Sequence, residues 1–575
     1  MKNAPNDPSI FGRMRISVLF ALLLSLGLTT SGQEVYHHIN NTSVYEFLDE
    51  MATLKVIDIN TPIRPFSRYF IAKKLNDAYA KREELSKRQQ KELDFYLQDF
   101  IKEGAIRGTA KTEHKSDIDF IWKGLKRGDV FPLRKRDKRW DLFYYKDSLF
   151  TFSVNPIIGG QGWVNDSALN YHRFYGAEFH GYLSKYVGIY ANMRDNQVTR
   201  RIAETTHITQ RPGAVYKGTN KLLGDFSEMR GGITLNFKWA TLGLIKDNFK
   251  WGDGYNGSNI FSGRSPSPGQ LKLSLRPVKW LSFEYVHAWL ASDVLDSTNS
   301  YINGSRVREV MRPKYLAANM YTVTPTKRLN ISVGNSVVYS DQSPHPSYFI
   351  PFFFYKALDH STNGGGVGAN NRGQNAQMFF NVSSRQIKHL HLYASVFIDE
   401  ISFGNMFNPA KQSNLMSFKA GLRLTNPFKA SVSLILEYTR NNPIVYRHHI
   451  PTTSFENNSY NMGHYLGDNS EEYYVGIKSR PMSRLRADVG FVYARKGPEI
   501  PYTTGADGKG LKFMESVEWK RVAVEFRTSY EFLHDGNIFV EYQYQNIKGV
   551  KKDVYTPSIF QANPHTISFG LMFGI

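Results

Sequence analysis

The segment LKLSLRPVKWLSFEYVHAWL, residues 271–290, indicates how the chain folds. Four residues of its second half share an apolar face of an extended chain: Leu281, Phe283, Tyr285 and Trp289. Ser282 and Glu284 lie on the opposite face. Because successive side chains of a strand point to opposite sides, this half predicts a strand with one apolar and one polar face. Pro277 presets the backbone of a tight turn, so the whole segment predicts a β-hairpin.

The same alternation recurs from residue 149 to the C-terminus. It is clearest in residues 429–438, 484–493, 522–532 and 538–545, and the last residues, His565–Ile575, repeat it. Strands of about ten residues match a tilted bilayer crossing by a β-barrel. No segment beyond the N-terminus is apolar enough for a transmembrane helix, so we expect any membrane insertion to use strands.

Short and long connections alternate between these strands. Eight short turns contain residues typical of tight turns, for example Pro277 and Asp535, and nine long polar loops separate them, the first at 157–173. This alternation is typical of outer-membrane barrels, which have tight periplasmic turns and long extracellular loops. The sequence therefore predicts an all-β, antiparallel transmembrane barrel of about 18 strands with both termini in the periplasm.

The N-terminal part divides into three predicted segments. Residues 1–32 have a basic flank, an apolar core and a small-residue exit, which is typical of a secretory signal peptide. Residues 33–125 show helical spacing and predict a small α-helical periplasmic domain. Residues 126–148 form a basic connector, and we expect residues 149–575 to form the barrel.

Two capping signals fix the helices of this domain. Ser67 follows a proline-rich break and predicts the N-cap of a helix over residues 68–81. Ser86 and Gln89 have the spacing of a capping box, which predicts that a second helix begins there and ends at Gly104. The helices could form a bundle that only packs on the barrel, or a plug or partner-docking module.

Composition restricts the partners. The chain has 575 residues, a formal net charge of +21, 14% aromatic residues and no cysteine. The basic excess favours polyanionic neighbours such as lipopolysaccharide, outer-membrane lipid and acidic polysaccharide. We predict no nucleic-acid binding, because the basic residues are scattered along the chain rather than concentrated in one patch.

No pattern in the sequence predicts catalysis. There is no H-E-x-x-H or G-x-S-x-G motif, and the adjacent histidine pairs would point to opposite sides of a strand. Acidic residues on the polar strand faces, including Glu284 and Glu437, lie among many lysines and arginines, which favours a neutralised lumen network. We therefore predict that the protein is not an enzyme and uses no cofactor or metal.

Two loops contain candidate carbohydrate-binding residues. Residues 246–262 combine aromatic rings with carboxylate and amide groups, and the candidates in this loop are Trp251, Asp253, Tyr255 and Asn256. The alternative is that the loop is an ordinary glycine-rich turn. Residues 346–355 are too apolar to extend into water and contain Tyr348 and Tyr355. We expect this second loop to fold into the lumen as a constriction, with contact to lipid, a partner or glycan as the alternative.

Several segments resemble a known family. Residues 61–75 and 85–93 are similar to the N-terminal helical signature of the Wzi capsule-assembly family, and residues 159–162 and 249–262 resemble its early barrel segments. The resemblance implies an 18-stranded outer-membrane barrel with a helical bundle. It also implies a lectin function that retains capsular polysaccharide. Relatives in gliding Gram-negative bacteria are associated with the movement or export of surface adhesins.

These observations lead to one predicted function and two alternatives. We predict an outer-membrane protein of a Gram-negative bacterium that binds surface polysaccharide, capsular or exopolysaccharide, and helps to assemble or retain it. The first alternative is an accessory protein of gliding motility or adhesin export, which would bind other cell-envelope proteins. The second alternative is a diffusion channel.

Overall fold

The computed structural model describes residues 34–104, 113–115, 139–165, 168–363, 373–401, 403–405, 408, 414–427, 430–501 and 510–574. The predicted signal peptide, residues 1–32, lies outside the described residues, as does most of the predicted connector at 126–148. The boundaries of the four predicted segments stay predictions.

Eighteen antiparallel strands form a closed barrel, which confirms the predicted fold class and strand number. The last strand pairs with the first, from Ile567 opposite Val164 to Phe573 opposite Ile158, and this pairing leaves no open edge. The strands are β1 Phe150–Asn165, β2 Ala168–Leu183, β3 Val187–Val198, β4 Gly224–Asn236, β5 Ala240–Lys246, β6 Gly269–Val278, β7 Leu281–Leu290, β8 Lys314–Thr326, β9 Leu329–Ser340, β10 Asn375–Ser384, β11 Leu390–Glu400, β12 Leu415–Thr425, β13 Val432–Asn441, β14 Ser470–Met482, β15 Leu485–Lys496, β16 Trp519–Leu533, β17 Gly536–Lys548 and β18 His565–Phe573.

The predicted hairpin at 271–290 consists of β6 and β7, and all eight predicted short turns occur. The predicted long loop at 157–173 is wrong, because β1 continues to Asn165 and pairs residue by residue with β2. Gly159, Gly160 and Gly162 are strand residues, and a Cβ on Gly159 would lie 2.4 Å from the ring of Phe174 on the neighbouring strand.

Three helices precede the barrel: α1 Thr42–Thr53, α2 Arg68–Tyr79 and α3 Lys87–Gly104. Both capping predictions are confirmed. The Ser67 hydroxyl accepts a hydrogen bond from the Phe70 N–H over 3.1 Å, and the Ser86 N–H donates to Gln89 Oε1 over 3.0 Å. Buried apolar side chains from all three helices form one core. None of the described helices combines the length and apolar character needed to cross a membrane.

The helical region occupies the end of the barrel at which the short turns lie. Asp49 of α1 accepts from Arg385, beside one short turn, and from Arg423, at the end of β12, over 2.6 Å each. Glu46 accepts from Arg480 near another turn, also over 2.6 Å. Asp49 and the three arginines are buried and Glu46 is half-buried, and each carboxylate is held by cations from the barrel.

The apolar segment 346–355 lies on the outer wall of the barrel, so its predicted folding into the lumen is wrong. It packs on the face of β7 that contains Tyr285 and His287, and His287 lies in register, across β6, with the exposed Leu244. The Tyr285 hydroxyl donates to the Tyr348 carbonyl over 2.8 Å. The His287 ring stacks on Phe349, with 4.0 Å between ring centres.

Two outward-facing asparagines explain this position. Asn319 of β8 donates to the carbonyl oxygens of Pro351 and Phe353 over 2.8 and 2.9 Å, and Asn335 of β9 accepts from the Tyr355 N–H over 2.8 Å. An unsatisfied amide facing lipid would cost several kcal/mol. The segment therefore covers polar groups of the wall and continues into helix α4, Tyr355–Asn363.

Short elements complete the described chain. The two-residue strands Ile63–Arg64 and Lys250–Trp251 pair with each other, and a short helix, α5, spans Lys552–Tyr555. Further short strands are Glu113–Lys115 with Phe143–Lys146, Tyr301–Asn303 with Arg306–Arg308, and Glu456–Asn457 with Tyr460–Asn461.

Candidate functional site

The long loop between β5 and β6 turns into the lumen and rests on the helical region. Its residues Lys250 and Trp251 pair with the strand Ile63–Arg64, which precedes α2. The loop is also fixed to the barrel wall, because Glu437 of β13 accepts from the N–H groups of Tyr255 and Asn256 over 2.6 and 2.8 Å. A charged acceptor strengthens such bonds, so this turn of the loop is held firmly inside the barrel.

The Tyr255 side chain joins this loop to helix α1. Its hydroxyl donates to Asp49 over 2.6 Å and lies 2.8 Å from Nδ1 of His391. Burial alone would raise the pKa of the Asp49 carboxyl, but the guanidinium groups of Arg385 and Arg423 lower this pKa far below its usual range. Asp49 is therefore an ionised acceptor. The pKa of the Tyr255 phenol is raised, first by burial of the phenol and then by the negative charge of Asp49.

Two adjoining cavities lie above α1 inside the barrel. The inner chamber has a volume of about 270 Å³, and its walls include Arg64, Lys250, Tyr255 and Arg264. The outer chamber has a volume of about 570 Å³ and extends along the inner face of β14–β17 to the long-loop segments 208–212 and 556–560. Both chambers share the following wall residues: Asn40, Gln210, Tyr465 and Lys478.

The walls present groups that suit sugars. Amides and charged groups line the outer chamber together with the rings of Tyr465 and Tyr474. Amides and charged side chains bind hydroxyl groups, while aromatic faces pack on the C–H faces of a sugar ring. Cavities of several hundred Å³ are of the size at which small ligands bind.

The structure does not bring the six predicted carbohydrate-binding residues together. Tyr255 lines the inner chamber. Asn256 lies beside it and bonds to Gln210 and Glu472, and Asp253 accepts from Asn381 over 2.8 Å. Trp251 is 1% exposed and packs among the rings of Phe249, Phe261 and Phe379. Tyr348 and Tyr355 are buried on the outer wall. Carbohydrate binding by these six residues stays a prediction.

No sequence pattern predicts most of the chamber residues. Gln210 and Arg211 come from the loop between β3 and β4, whereas Tyr465 comes from the loop between β13 and β14. Residues so far apart in sequence meet only because the barrel closes. Arg264 lies within the β5–β6 loop, just after residues 246–262, the segment predicted to bind carbohydrate. Only folding places Arg264 in the inner chamber.

Comparison with known proteins gives one family and several structures. The family model described as capsule assembly protein Wzi matches residues 224–558. The structure of Wzi from Escherichia coli, described as an outer membrane protein involved in group 1 capsule assembly and a carbohydrate-binding β-barrel, is 12% identical, with a TM-score of 0.56. The match covers 95% of this chain and 100% of that chain.

More distant structures have lower scores. OccAB1 of Acinetobacter baumannii is 11% identical over 74% of this chain and 96% of its own, with a TM-score of 0.40. OccD3 of Pseudomonas aeruginosa is 12% identical over 73% of this chain and 90% of its own, with a TM-score of 0.40. No curated protein sequence matches the chain.

Proposed function

Since this chain belongs to the Wzi capsule-assembly family, we propose that it binds surface polysaccharide within its outer-membrane barrel and retains it at the cell surface. In this proposal the helical region faces the periplasm and the long loops face the outside. The polysaccharide enters from the long-loop side, and helix α1 closes the chamber below it.

One observation carries the proposal. The two chambers combine polar side chains with aromatic rings, and they lie between the long-loop segments and helix α1. Ion pairs fix α1 to barrel residues near the short turns, among them the buried pair of Asp49 with Arg385 and the half-buried pair of Glu46 with Arg480. A cavity closed on one side favours holding a chain end or side branch over conducting a solute through the barrel.

Filling the outer chamber tests the proposal. Gly490 of β15 lies in its wall, and a Cβ there would be 3.5 Å from the ring of Tyr474, which is an ordinary contact. We expect Gly490→Leu to fold normally and to reduce binding of purified surface polysaccharide at least tenfold, because the side chain would occupy the ligand volume. Phe491→Leu changes the next residue, which faces outward, and serves as the matched control.

The folding of the two variants is compared by the heat-dependent change in their electrophoretic migration. Their polysaccharide binding is compared in detergent. Unchanged binding by folded Gly490→Leu contradicts the lumen site. In that case Tyr348→Phe and Tyr355→Phe test the outer-wall residues that the sequence predicted. Loss of binding in either of them would place the carbohydrate on the outer wall.

The two alternative functions have separate measurements. A diffusion channel requires stable conductance in planar bilayers, and we expect the helical region to prevent it. An accessory function in motility or export requires partner proteins. A deletion strain scored together for surface polysaccharide, gliding and adhesin display separates these functions, and we expect only the polysaccharide to be lost.

A further inference from the structure

The described walls of the two chambers contain more cations than carboxylates. Four cations in their walls have no carboxylate within 4.0 Å among the described residues: Arg64, Arg211, Lys250 and Arg264. Among the described residues, the other charged groups of the chamber walls are paired, except Asp488 of the outer chamber. Asp49 and Glu46, the carboxylates of the inner chamber, each contact two cations.

The contacts of the four cations show what is missing. Arg264 is buried, and its Nε has no hydrogen-bond partner among the residues that the structure describes. Within the described part of the chain, Lys250 donates only to the carbonyl oxygen of Gly254, over 2.7 Å. The guanidinium of Arg211 lies 4.7 Å from the ring centre of Trp163, and that of Arg64 lies 5.1 Å from the ring centre of Tyr45. Ring faces attract cations but do not neutralise them.

Unpaired cations in a largely buried cavity are unfavourable for the folded protein. Burial of a charge without a counter-charge costs several kcal/mol, and proteins usually avoid it. The cost appears in the titration of these side chains: burial, and then Arg64, lower the pKa of Lys250 to about 7, and burial lowers the pKa of Arg264 to about 10. Groups perturbed in this way inside a cleft often belong to binding sites.

We propose that the chambers bind an acidic polysaccharide, in which the carboxylate groups of uronic acid residues pair with Arg64, Arg211, Lys250 and Arg264. The inference rests on the proposed function and specifies its ligand. The carboxylate supplies the counter-charge that the four cations lack. The ring of Tyr255 and the amide of Gln210, both in the chamber walls, then meet the uncharged part of the sugar.

This assignment predicts opposite effects on binding and stability. Replacing Lys250 and Arg264 with glutamine removes two unfavourable charges, one half-buried and one buried, so the double variant Lys250→Gln, Arg264→Gln should be at least as stable as the natural protein. The same change should abolish preference for acidic sugars, because each charge-assisted contact contributes roughly tenfold or more to affinity. A side chain with only a structural function would lower stability when replaced.

The test uses the full chain in detergent and three probes: trigalacturonate, maltotriose and inorganic phosphate. We expect trigalacturonate to bind at least tenfold more tightly than maltotriose, and the double variant to lose this difference with an unchanged or higher Tm. Arg312→Gln is the matched control, because Arg312 pairs with Asp341 on an outer loop and its replacement should leave the preference intact.

The remaining outcomes overturn the inference in distinguishable ways. If both trisaccharides bind equally and the double variant changes neither, the protein binds glycan without charge selection and the proposed function stands. If phosphate competes at the concentration at which trigalacturonate binds, the site takes a small anion rather than an acidic sugar. If neither trisaccharide binds while the deletion strain still loses surface polysaccharide, the chambers are not the acidic-sugar site.

Discussion

The hydroxyl of Tyr255, in the long loop between β5 and β6, donates to the buried carboxylate of Asp49 in helix α1 over 2.6 Å. This bond joins the two parts of the chain that enclose the inner chamber: a loop from the long-loop side and a helix from the short-turn side. Arg385 and Arg423 hold the same carboxylate from the barrel wall. A loop, a helix and two arginines of the barrel therefore share a single ionised group at the chamber wall.

Removing the Tyr255 hydroxyl should loosen the loop without unfolding the barrel. A hydrogen bond to a charged group contributes about 1.5–3 kcal/mol. We expect Tyr255→Phe to accelerate amide hydrogen exchange at residues 253–257 by roughly ten- to a hundredfold. Tyr355→Phe is the control, because Tyr355 lies on the outer wall and its hydroxyl bonds to the Ile350 carbonyl over 3.4 Å rather than to a charged group of the chamber. Equal protection in both variants would show that the bond to Asp49 does not hold the loop.

Neutralising Asp49 should release the helical region. Asp49→Asn leaves Arg385 and Arg423 buried without a carboxylate, and breaking a buried pair in this way costs about 3–5 kcal/mol. We expect faster proteolysis of α1–α3 and the appearance of conductance in planar bilayers. Asp77→Asn breaks the exposed pair with Lys74, at 3.2 Å, and should have almost no effect. Unchanged proteolysis of α1–α3 and no conductance in Asp49→Asn would contradict this account.

Acid should weaken the same contact. The folded protein lowers the pKa of Asp49 below its ordinary value of 3.8, so the contact stabilises the fold fully at any pH above that value. Its contribution falls as the pH drops below 3.8 and is lost as the pH passes through the lower pKa of the folded state. We expect proteolysis of the helical region to be constant from pH 8 to 5 and to rise only in stronger acid. A rise near pH 6 would indicate a different titrating group.

Binding of acidic sugar should weaken as Lys250 loses its proton. Its pKa of about 7 results from burial and from Arg64 and Lys419, which lower it, against Glu437 and Asp253, which raise it. Galacturonate stays ionised above pH 5, so only the protein charge changes in this range. We expect the affinity for trigalacturonate to fall from pH 6 to pH 8.5 in the natural protein. Lys250→Gln should bind weakly at both pH values, and a steep pH dependence in that variant would exclude Lys250 as the cause.

The outer-wall segment should contact lipid. Phe352 is 55% exposed and packs beside Phe283, whose side chain also faces outward. Because the chain has no cysteine, Phe352→Cys allows a single nitroxide label. We expect the label to be accessible to oxygen and protected from a polar nickel reagent. Ile302→Cys, in the exposed hairpin between β7 and β8, should show the reverse. Strong accessibility of the label at residue 352 to the nickel reagent would show that the segment lies outside the bilayer.

The sequence by itself determined the barrel. Period-two alternation and the positions of the turn residues predicted the strand number, and the caps at Ser67 and Ser86 predicted two of the helices, because these signals arise between residues near one another in the chain. The loop predicted at 157–173 was wrong, because residues 157–165 pair with the neighbouring strand, and this pairing forms only in the folded barrel.

Only the tertiary structure decided where the loops go. The hydrophobicity of segment 346–355 is compatible with both the lumen and the outer wall. The outward-facing amides of Asn319 and Asn335 bind the segment and place it on the outer wall. In the same way, a pattern in residues 246–262 predicted Tyr255, but Arg64, Arg211 and Arg264 become neighbours of the same cavities only when the barrel closes. The charge balance in a lumen depends on which side chains lie close together there, and the spacing of residues in the sequence does not determine such contacts.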